Sequence, residues 1–195
     1  MAPVNVPPEA LQEFPDFQSF YDWLEKNHDS APEVWIRIFK KGSGKPTITP
    51  VEAIDAILCW GWIDGIRKSW DDESFVQRYC PRRPKSVWSQ INRDNVARLT
   101  EAGLMTRHGQ AQVDLAKSDG RWDAAYKTTM GPPEDLLAAI SANAEAQKTY
   151  DGLTAQNRFA LTFRVHNLKT EAGRKKKIAN LVEMLARGET IYPQG

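Results

Sequence analysis

Apolar residues near the start of the chain recur with two different periods. From Phe17 to Leu24 they follow helical spacing, and Asp16 in front of them is a suitable N-cap, so this stretch predicts an amphipathic helix that begins near Asp16. From Glu33 to Lys40 the apolar residues alternate with period two, which predicts a strand.

A second helix is predicted to begin at Thr49. Threonine caps the first turn, Pro50 is tolerated at the first helical position, and Glu52 completes a capping box three residues after the cap. The apolar residues of this helix fall on one face, which we expect to be buried. They are Val51, Ile54, Ile57 and Leu58.

The next segment predicts a β-hairpin. Trp62 to Trp70 and Ser74 to Cys80 fit two strands that are joined by an acidic turn at residues 71–73. A helix follows the two prolines after the second strand and ends at Gly103. Its expected apolar face contains Val87, Trp88, Ile91, Val96 and Leu99.

The turn also determines how the two strands pair. With Trp70 opposite Ser74, Asp64 lies diagonal to Arg78 on one face, and a slip of one residue would reverse the faces. The other side chains expected on that face are Ile66, Lys68 and Val76. Two interpretations stay open: an ion pair between Asp64 and Arg78, or a cluster of Asp64, Arg78 and Lys68 that orients a polar ligand.

Glycines and prolines between residues 118 and 133 mark a boundary, and no strand-like alternation follows it. We therefore predict an α+β fold. A small, mainly antiparallel sheet with helices occupies residues 1–130, and an all-helical module occupies residues 131–195.

Residues 78–93 contain basic and aromatic residues and no acidic one. Ser86 is expected at a helix start, where free backbone N–H groups favour an anion. The stretch predicts either an anion-binding surface or a solvated basic face. The candidate ligand-binding residues of this region are Trp62, Asp64, Arg67, Lys68, Arg78, Arg82, Arg83, Lys85, Ser86 and Trp88.

The overall charge limits what the chain attracts. Its 195 residues carry a formal net charge of +1, with 41% apolar and 26% charged residues, a balance typical of a globular protein. Attraction to nucleic acid would have to come from a local patch. Nucleic acid is therefore a less favoured partner than an anionic ligand or a protein, and the oligomeric state stays open.

Few residues offer metal or nucleophile chemistry. Cys59 and Cys80 are isolated thiols, and His28, His108 and His166 lie far apart in the sequence, each expected as a surface or cap residue. We predict no cofactor and no metal, and no catalytic residue is identifiable. The N-terminal stretch lacks the features of a secretory signal, so the expected compartment is the cytoplasm, where both thiols stay reduced.

Several short motifs are spread over nearly the whole chain. They are Glu33–Trp35, Lys40–Lys45, Cys59–Lys68, Arg78–Asn92, Gly120–Tyr126, Pro133–Leu136 and Ile178–Gly188. In combination they resemble the bacterial bacteriocin-protection, YdeI/OmpD-associated (OmdA-like) family. The resemblance implies a role linked to tolerance of bacteriocins or cationic peptides and to outer-membrane porins, and it brings no reaction and no catalytic residue with it.

These observations lead to three hypotheses. The first is a non-enzymatic binding or stress-protection protein that binds an anionic ligand or partner at residues 62–93. The second is an enzyme that acts on a small polar or phosphorylated substrate, with Asp64 as acid or base and arginines as electrostatic clamps. The third is a nucleic-acid-binding protein. An adaptor that works through the basic C-terminal helix is a further option.

Overall fold

The structure is a computed structural model that describes residues 6–127, 129–168 and 170–194. The chain divides into two compact units, Met1–Tyr126 and Lys127–Gly195. In chain order the first contains a 3₁₀ helix (Pro8–Ala10), β1 (Leu11–Gln12), α1 (Phe17–Asn27), β2 (Val34–Phe39), α2 (Pro50–Cys59), β3 (Trp62–Ser69), β4 (Ser74–Pro81), α3 (Gln90–Glu101) and α4 (Arg107–Ser118). The second contains α5 (Glu134–Ser141), α6 (Ala144–Asp151), α7 (Ala155–His166) and α8 (Glu171–Ala186).

The strands of the N-terminal unit form one sheet in the order β1-β2-β4-β3. β1 runs parallel to β2, whereas β4 is antiparallel to both β2 and β3. Val34, Ile36 and Tyr79 lie on one face of the sheet and join buried residues of α1 and α2 in the core. A mainly antiparallel sheet with helices, followed by a helical C-terminal unit, confirms the predicted α+β class.

Helices α1 and α2 begin where the sequence predicts. Asp16 Oδ1 accepts a hydrogen bond from Ser19 N at 2.8 Å. Thr49 Oγ1 accepts one from Glu52 N at 3.2 Å, and Glu52 Oε2 accepts one from Thr49 N at 2.8 Å. These caps satisfy backbone N–H groups that have no partner inside the helix, which explains why the starts could be predicted locally.

The buried face of α2 differs from the predicted one. Val51 is 65% exposed, and Ile54 is only partly buried. Ala53 and Ala56 are buried together with Ile57. The small alanine side chains let this helix approach its neighbours closely, so the contact face passes through residues that a pattern of large apolar side chains overlooks.

β3 and β4 form the predicted hairpin, and the end near the turn has the predicted pairing. Trp70 N donates to Ser74 O at 3.1 Å, and Ser69 lies opposite Phe75. Farther from the turn, a β-bulge after Asp64 shifts the register by one residue.

The bulge overturns the predicted position of Asp64. Asp64 lies opposite Tyr79 and shares its face of the sheet, because a shift of one residue moves a side chain to the other face. Lys68 and Arg78 lie on the opposite face. Arg78 Nε donates to Glu33 Oε2 at 2.7 Å. The predicted ion pair of Asp64 with Arg78 and the predicted cluster of both residues with Lys68 are therefore wrong.

Helix α3 begins later than predicted. Its N-cap is Ser89, whose Oγ accepts a hydrogen bond from Asn92 N at 3.1 Å, so Ser86 does not lie at a helix start. Val87 and Ile91 are exposed, contrary to prediction. Trp88 is buried in the segment that precedes the helix. The buried face of the helix therefore points away from Val87 and Ile91.

The C-terminal unit has its own core, and one arginine joins three of its helices. Arg174 of α8 donates to Asp135 of α5 through Nε at 2.6 Å and Nη2 at 2.7 Å, and its Nη1 donates to Val165 O in α7 at 3.1 Å. Lys175 pairs with Glu171 at 2.7 Å. The basic stretch of α8 is thus partly neutralised. Buried members of this core include Leu136, Ile140, Leu161, Leu181 and Leu185.

No helix in the described ranges has both the length and the apolar character that crossing a membrane requires. Cys59 and Cys80 are free thiols. Burial raises the pKa of Cys59 to about 12 and also raises the pKa of Cys80, so both thiols are protonated at neutral pH.

Candidate functional site

Arg82 follows the end of β4, and its side chain is buried. Its backbone N donates to Gly61 O at 3.1 Å, which anchors the start of the loop at the beginning of β3. The residue is 7% exposed, its guanidinium carbon lies 3.7 Å from the ring centre of Trp88, and Nη1 donates to Val87 O at 3.3 Å. The loop therefore places the side chain of Arg82 against Val87 and Trp88, which follow it in the sequence.

Two donor groups of Arg82 lack an acceptor. Nε and Nη2 are buried, and neither finds a hydrogen-bond partner in the part of the chain that the structure describes. Burial lowers the pKa of Arg82 to about 10; Asp64 opposes this shift and Arg121 adds to it. The guanidinium is still charged at neutral pH. A buried charge with unpaired N–H groups is costly, and an anion with several acceptor oxygens would satisfy both groups.

Trp88 supplies the surface on which Arg82 lies. It is 2% exposed, and its Nε1 is a third buried donor without a partner among the described residues. Its ring meets Trp122 at a centroid distance of 4.9 Å and an angle of 62°. Arg93 and Lys117 lie 5.3 Å and 5.5 Å from the Trp122 ring centre. An aromatic pair with cations around it therefore borders the buried guanidinium.

A short parallel bridge brings the segment after α4 beside this loop. Tyr126 N donates to Trp88 O at 3.0 Å. Arg121 Nη1 donates to Ser86 O at 2.8 Å, and Arg121 also forms an ion pair with Asp119 at 2.8 Å. These contacts hold two segments together that are distant in sequence.

Asp64, on β3, is close enough to Arg82 and Tyr126 to affect the pKa of both residues. It is exposed and forms no ion pair or hydrogen bond with any residue in the described ranges. Burial and, after it, Asp64 raise the pKa of Tyr126, and the same two causes raise the pKa of Tyr79. Both phenols stay protonated at neutral pH, while the carboxylate remains available to a ligand.

We call the group Asp64, Arg82, Trp88 and Tyr126 the Arg82 site. The group combines buried donors that have no acceptor among the described residues with an exposed carboxylate. Of the predicted site residues, the structure brings Asp64, Arg82 and Trp88 together, and it places Trp62, Arg67, Lys68, Arg78, Arg83, Lys85 and Ser86 elsewhere.

Three of the predicted residues have structural contacts or positions that do not involve a ligand. Trp62 is 1% exposed and donates from Nε1 to His28 O at 3.1 Å. Arg67 donates from Nε to Gln77 Oε1 at 2.7 Å. Lys68 lies on the sheet face that points away from Asp64.

The remaining predicted residues are in the loop after β4. Arg83 and Lys85 are exposed, and Ser86 Oγ accepts a hydrogen bond from Arg83 N at 3.1 Å. Since Arg78 is ion-paired and Arg82 is buried, the basic stretch does not form one continuous basic surface. This dispersal of charge does not favour nucleic-acid binding, which depends on several cations that face the same backbone.

Sequence reasoning missed Tyr126 and Arg121 as neighbours of the site. Both lie in the motif Gly120–Tyr126, which only the family resemblance singles out. The motif combines basic and aromatic residues in the same way as the stretch before α3. That shared composition was the available signal, but the bridge between Ser89 and Tyr126 joins residues too far apart for local patterns to pair.

His28 and His108 are in contact although they are distant in sequence. Their ring centroids are 4.1 Å apart, and both rings lie against Trp60, at 4.6 Å and 5.7 Å. The start of α4 can approach the end of α2 because Gly109 has no side chain: a Cβ there would lie 2.6 Å from Leu58 O. His28 is the predicted helix cap. The described residues contain no group of three or more acidic, cysteine or histidine residues that could hold a metal ion.

The chain matches two family models. Residues 12–112 match Domain of unknown function (DUF8412), and residues 129–188 match Bacteriocin-protection, YdeI or OmpD-Associated (OmdA). The first match covers more than half of the chain. The chain belongs to the DUF8412 family and carries an OmdA domain. The resemblance to the OmdA family is confirmed in this DUF8412 protein for the C-terminal part, whereas the motifs Cys59–Lys68 and Arg78–Asn92 lie in the DUF8412 match. No curated protein and no solved structure matches the chain.

Proposed function

We propose that this DUF8412 protein is a non-enzymatic binding or stress-protection protein whose Arg82 site binds a small anionic ligand. The observation that carries the proposal is the buried guanidinium of Arg82 with two N–H groups that no described residue accepts. The OmdA match supports a bacteriocin-protection-like role at the level of the family. A cytoplasmic location is part of the proposal.

The physical basis is the cost of burying Arg82 donors that have no acceptor among the described residues. A buried charged donor without an acceptor loses about 1–3 kcal/mol relative to a paired one. Trp88 fixes the plane of the guanidinium, and the hydrogen bond to Val87 O holds one end of it. An anion therefore meets donors that are already oriented, and little side-chain entropy is lost on binding.

A second candidate is an enzyme that acts on a small polar or phosphorylated substrate. The observation that favours it is Asp64, an exposed carboxylate that has no partner among the described residues and lies near the protonated phenol of Tyr126. In this case Asp64 would move a proton and Arg82 would stabilise developing negative charge. An Asp64→Asn variant distinguishes the two candidates. It abolishes turnover of a substrate if Asp64 transfers a proton. If the protein only binds its ligand, the substitution changes the affinity and nothing else.

Binding can be tested with the indole N–H signals in ¹H–¹⁵N NMR spectra of the full chain. The signal of Trp88 is assigned with a Trp88→Phe variant, and the protein is titrated with inorganic phosphate, sulfate and acetate. We expect a saturable shift of the Trp88 signal that weakens as sodium chloride is added, because the attraction is partly electrostatic. Arg82→Gln should abolish the shift.

Arg83→Gln is the matched control. It removes the same charge from the neighbouring position, but the side chain of Arg83 is exposed. We expect this variant to respond to the anions as the wild-type protein does. Equal losses in the two variants would point to a general charge effect and would overturn the proposal, and so would the lack of any saturable shift in the wild-type protein.

A further inference from the structure

We propose that the ligand of the Arg82 site is a zwitterion, with an anionic group that binds Arg82 and an ammonium group that binds Asp64. The inference rests on the proposed function, because it assigns the anion to Arg82. It adds the second charge of the ligand and the residue that recognises it.

Asp64 and Arg82 carry opposite charges on adjoining segments of the hairpin. Asp64 lies opposite Tyr79 of β4, and Arg82, which follows β4, donates its backbone N to Gly61 O just before β3. The described contacts include no ion pair between the two side chains. Elsewhere in the N-terminal unit, arginines close onto carboxylates: Arg37 onto Asp71 at 2.6 Å and Arg98 onto Asp55 at 2.6 Å. Asp64 has no such partner in the described ranges. Because the two side chains do not neutralise each other, a molecule with the complementary pair of charges could pair with both.

Each of the two charged side chains is held by its own contacts. Arg82 is stacked on Trp88, and its backbone is tied to Gly61. Asp64 is turned to its face of the sheet by the bulge, which Gln77 stabilises through a hydrogen bond from Nε2 to Gly65 O at 2.9 Å. Neither side chain therefore depends on the other for its position.

Each simpler ligand leaves one of the two charges unsatisfied. An anion without a cationic group would bind Arg82 but would bring negative charge close to Asp64, which opposes binding. A simple ammonium ion would pair with Asp64 and leave the buried N–H groups of Arg82 without acceptors. A molecule with an anionic oxygen group and an ammonium group a few bonds apart satisfies both residues. Small aminocarboxylates have this chemistry.

The inference is tested with pairs of probes that differ only in the ammonium group. The Trp88 indole signal is followed during titration with β-alanine and with propionate, and with γ-aminobutyrate and with butyrate. We expect the better-fitting aminocarboxylate to bind at least about tenfold more tightly than its partner without nitrogen. Asp64→Asn should remove this advantage and leave the carboxylate affinity unchanged or higher, since a repulsive charge is gone.

Asp72→Asn is the control for the loss of one negative charge on the same hairpin, because Asp72 is exposed in the turn. It should retain the preference for the aminocarboxylate. Equal affinity of propionate and β-alanine, and of the second pair, would overturn the zwitterion inference while leaving anion binding intact. A preference that survives in Asp64→Asn would also overturn it. Failure of every anion to bind would instead reject the proposed function.

Discussion

Gln77 Nε2 donates a hydrogen bond to Gly65 O at 2.9 Å and thereby fixes the bulge in β3. Its Oε1 accepts a second bond, from Arg67 Nε at 2.7 Å. One buried amide of β4 thus satisfies the backbone group that the bulge removes from regular pairing. The face on which Asp64 lies follows from this contact between the two strands.

Gln77→Leu should therefore destabilise the N-terminal unit. The substitution removes both hydrogen bonds, and since Gly65 and Arg67 are exposed and can bind water instead, we expect a loss of about 1 kcal/mol in the free energy of unfolding. Urea unfolding measures this loss. Gln77→Glu keeps the acceptor for Arg67 and loses the donor to Gly65. If both variants are as stable as the wild type, Gln77 does not hold the bulge.

Arg82 should contribute little to the stability of the ligand-free protein, unlike Arg78. Arg82→Met removes buried donors that have no acceptor, which should stabilise the protein by about 1–3 kcal/mol. This gain offsets the loss of the contact with Trp88, which costs about 0.5–2 kcal/mol. We expect the free energy of unfolding to change by less than about 1 kcal/mol or to rise.

Arg78→Met is the matched comparison, because Arg78 is paired with Glu33 at 2.7 Å. Its removal leaves a half-buried carboxylate without its cation and should cost about 1.5–3 kcal/mol. Urea unfolding of both variants without added anions gives the two values. An Arg82→Met variant that loses as much stability as Arg78→Met would show that Arg82 is a structural residue.

Local signals were sufficient for the helix starts and for the hairpin. The caps at Asp16 and Thr49 depend on residues within one turn, and the pairing of Trp70 with Ser74 follows from the turn itself. The face of Asp64 could not be predicted in this way. It depends on Gln77, which belongs to the opposite strand and gives no sign in the sequence that it will bond a carbonyl group.

Some residues of the candidate site could be predicted from the sequence, but their arrangement in space could not. The basic and aromatic stretch identified Arg82 and Trp88, but an arginine is exposed in most proteins, so its burial was unexpected. The stacking of the two side chains needs a loop conformation that the bridge to Tyr126 supports. Such a contact between distant segments is a property of the tertiary structure.

The stability of the OmdA domain should depend on the two parallel hydrogen bonds that the guanidinium of Arg174 donates to Asp135. Its guanidinium binds both carboxylate oxygens of Asp135, which lowers the pKa of that carboxyl group. Arg174→Lys keeps the charge but loses the paired contact and the bond to Val165 O, so we expect faster hydrogen exchange in α5 and α8. Lys175→Ala, which removes an exposed pair with Glu171, is the control. Equal exchange in the two variants would contradict a clamp at Arg174.

The contact between His28 and His108 should make the N-terminal unit less stable at mildly acidic pH. Burial, the charge of His28 and the charge of Arg107 lower the pKa of His108, whereas Asp29 opposes the shift. The folded protein thus binds this proton less tightly than the unfolded chain, whose histidine pKa is about 6.5. Stability from neutral His108 is complete above about pH 6.5 and is lost as the pH falls below it.

Urea unfolding between pH 5 and pH 8 tests this dependence. We expect the wild-type protein to lose stability below about pH 6.5 and His108→Gln to show a shallower slope in the same window, because glutamine cannot acquire the charge. His166→Gln is the control, since His166 is exposed at the end of α7 in the other unit. A slope that is unchanged in His108→Gln, or reduced equally in His166→Gln, would show that the histidine contact does not cause the acid sensitivity.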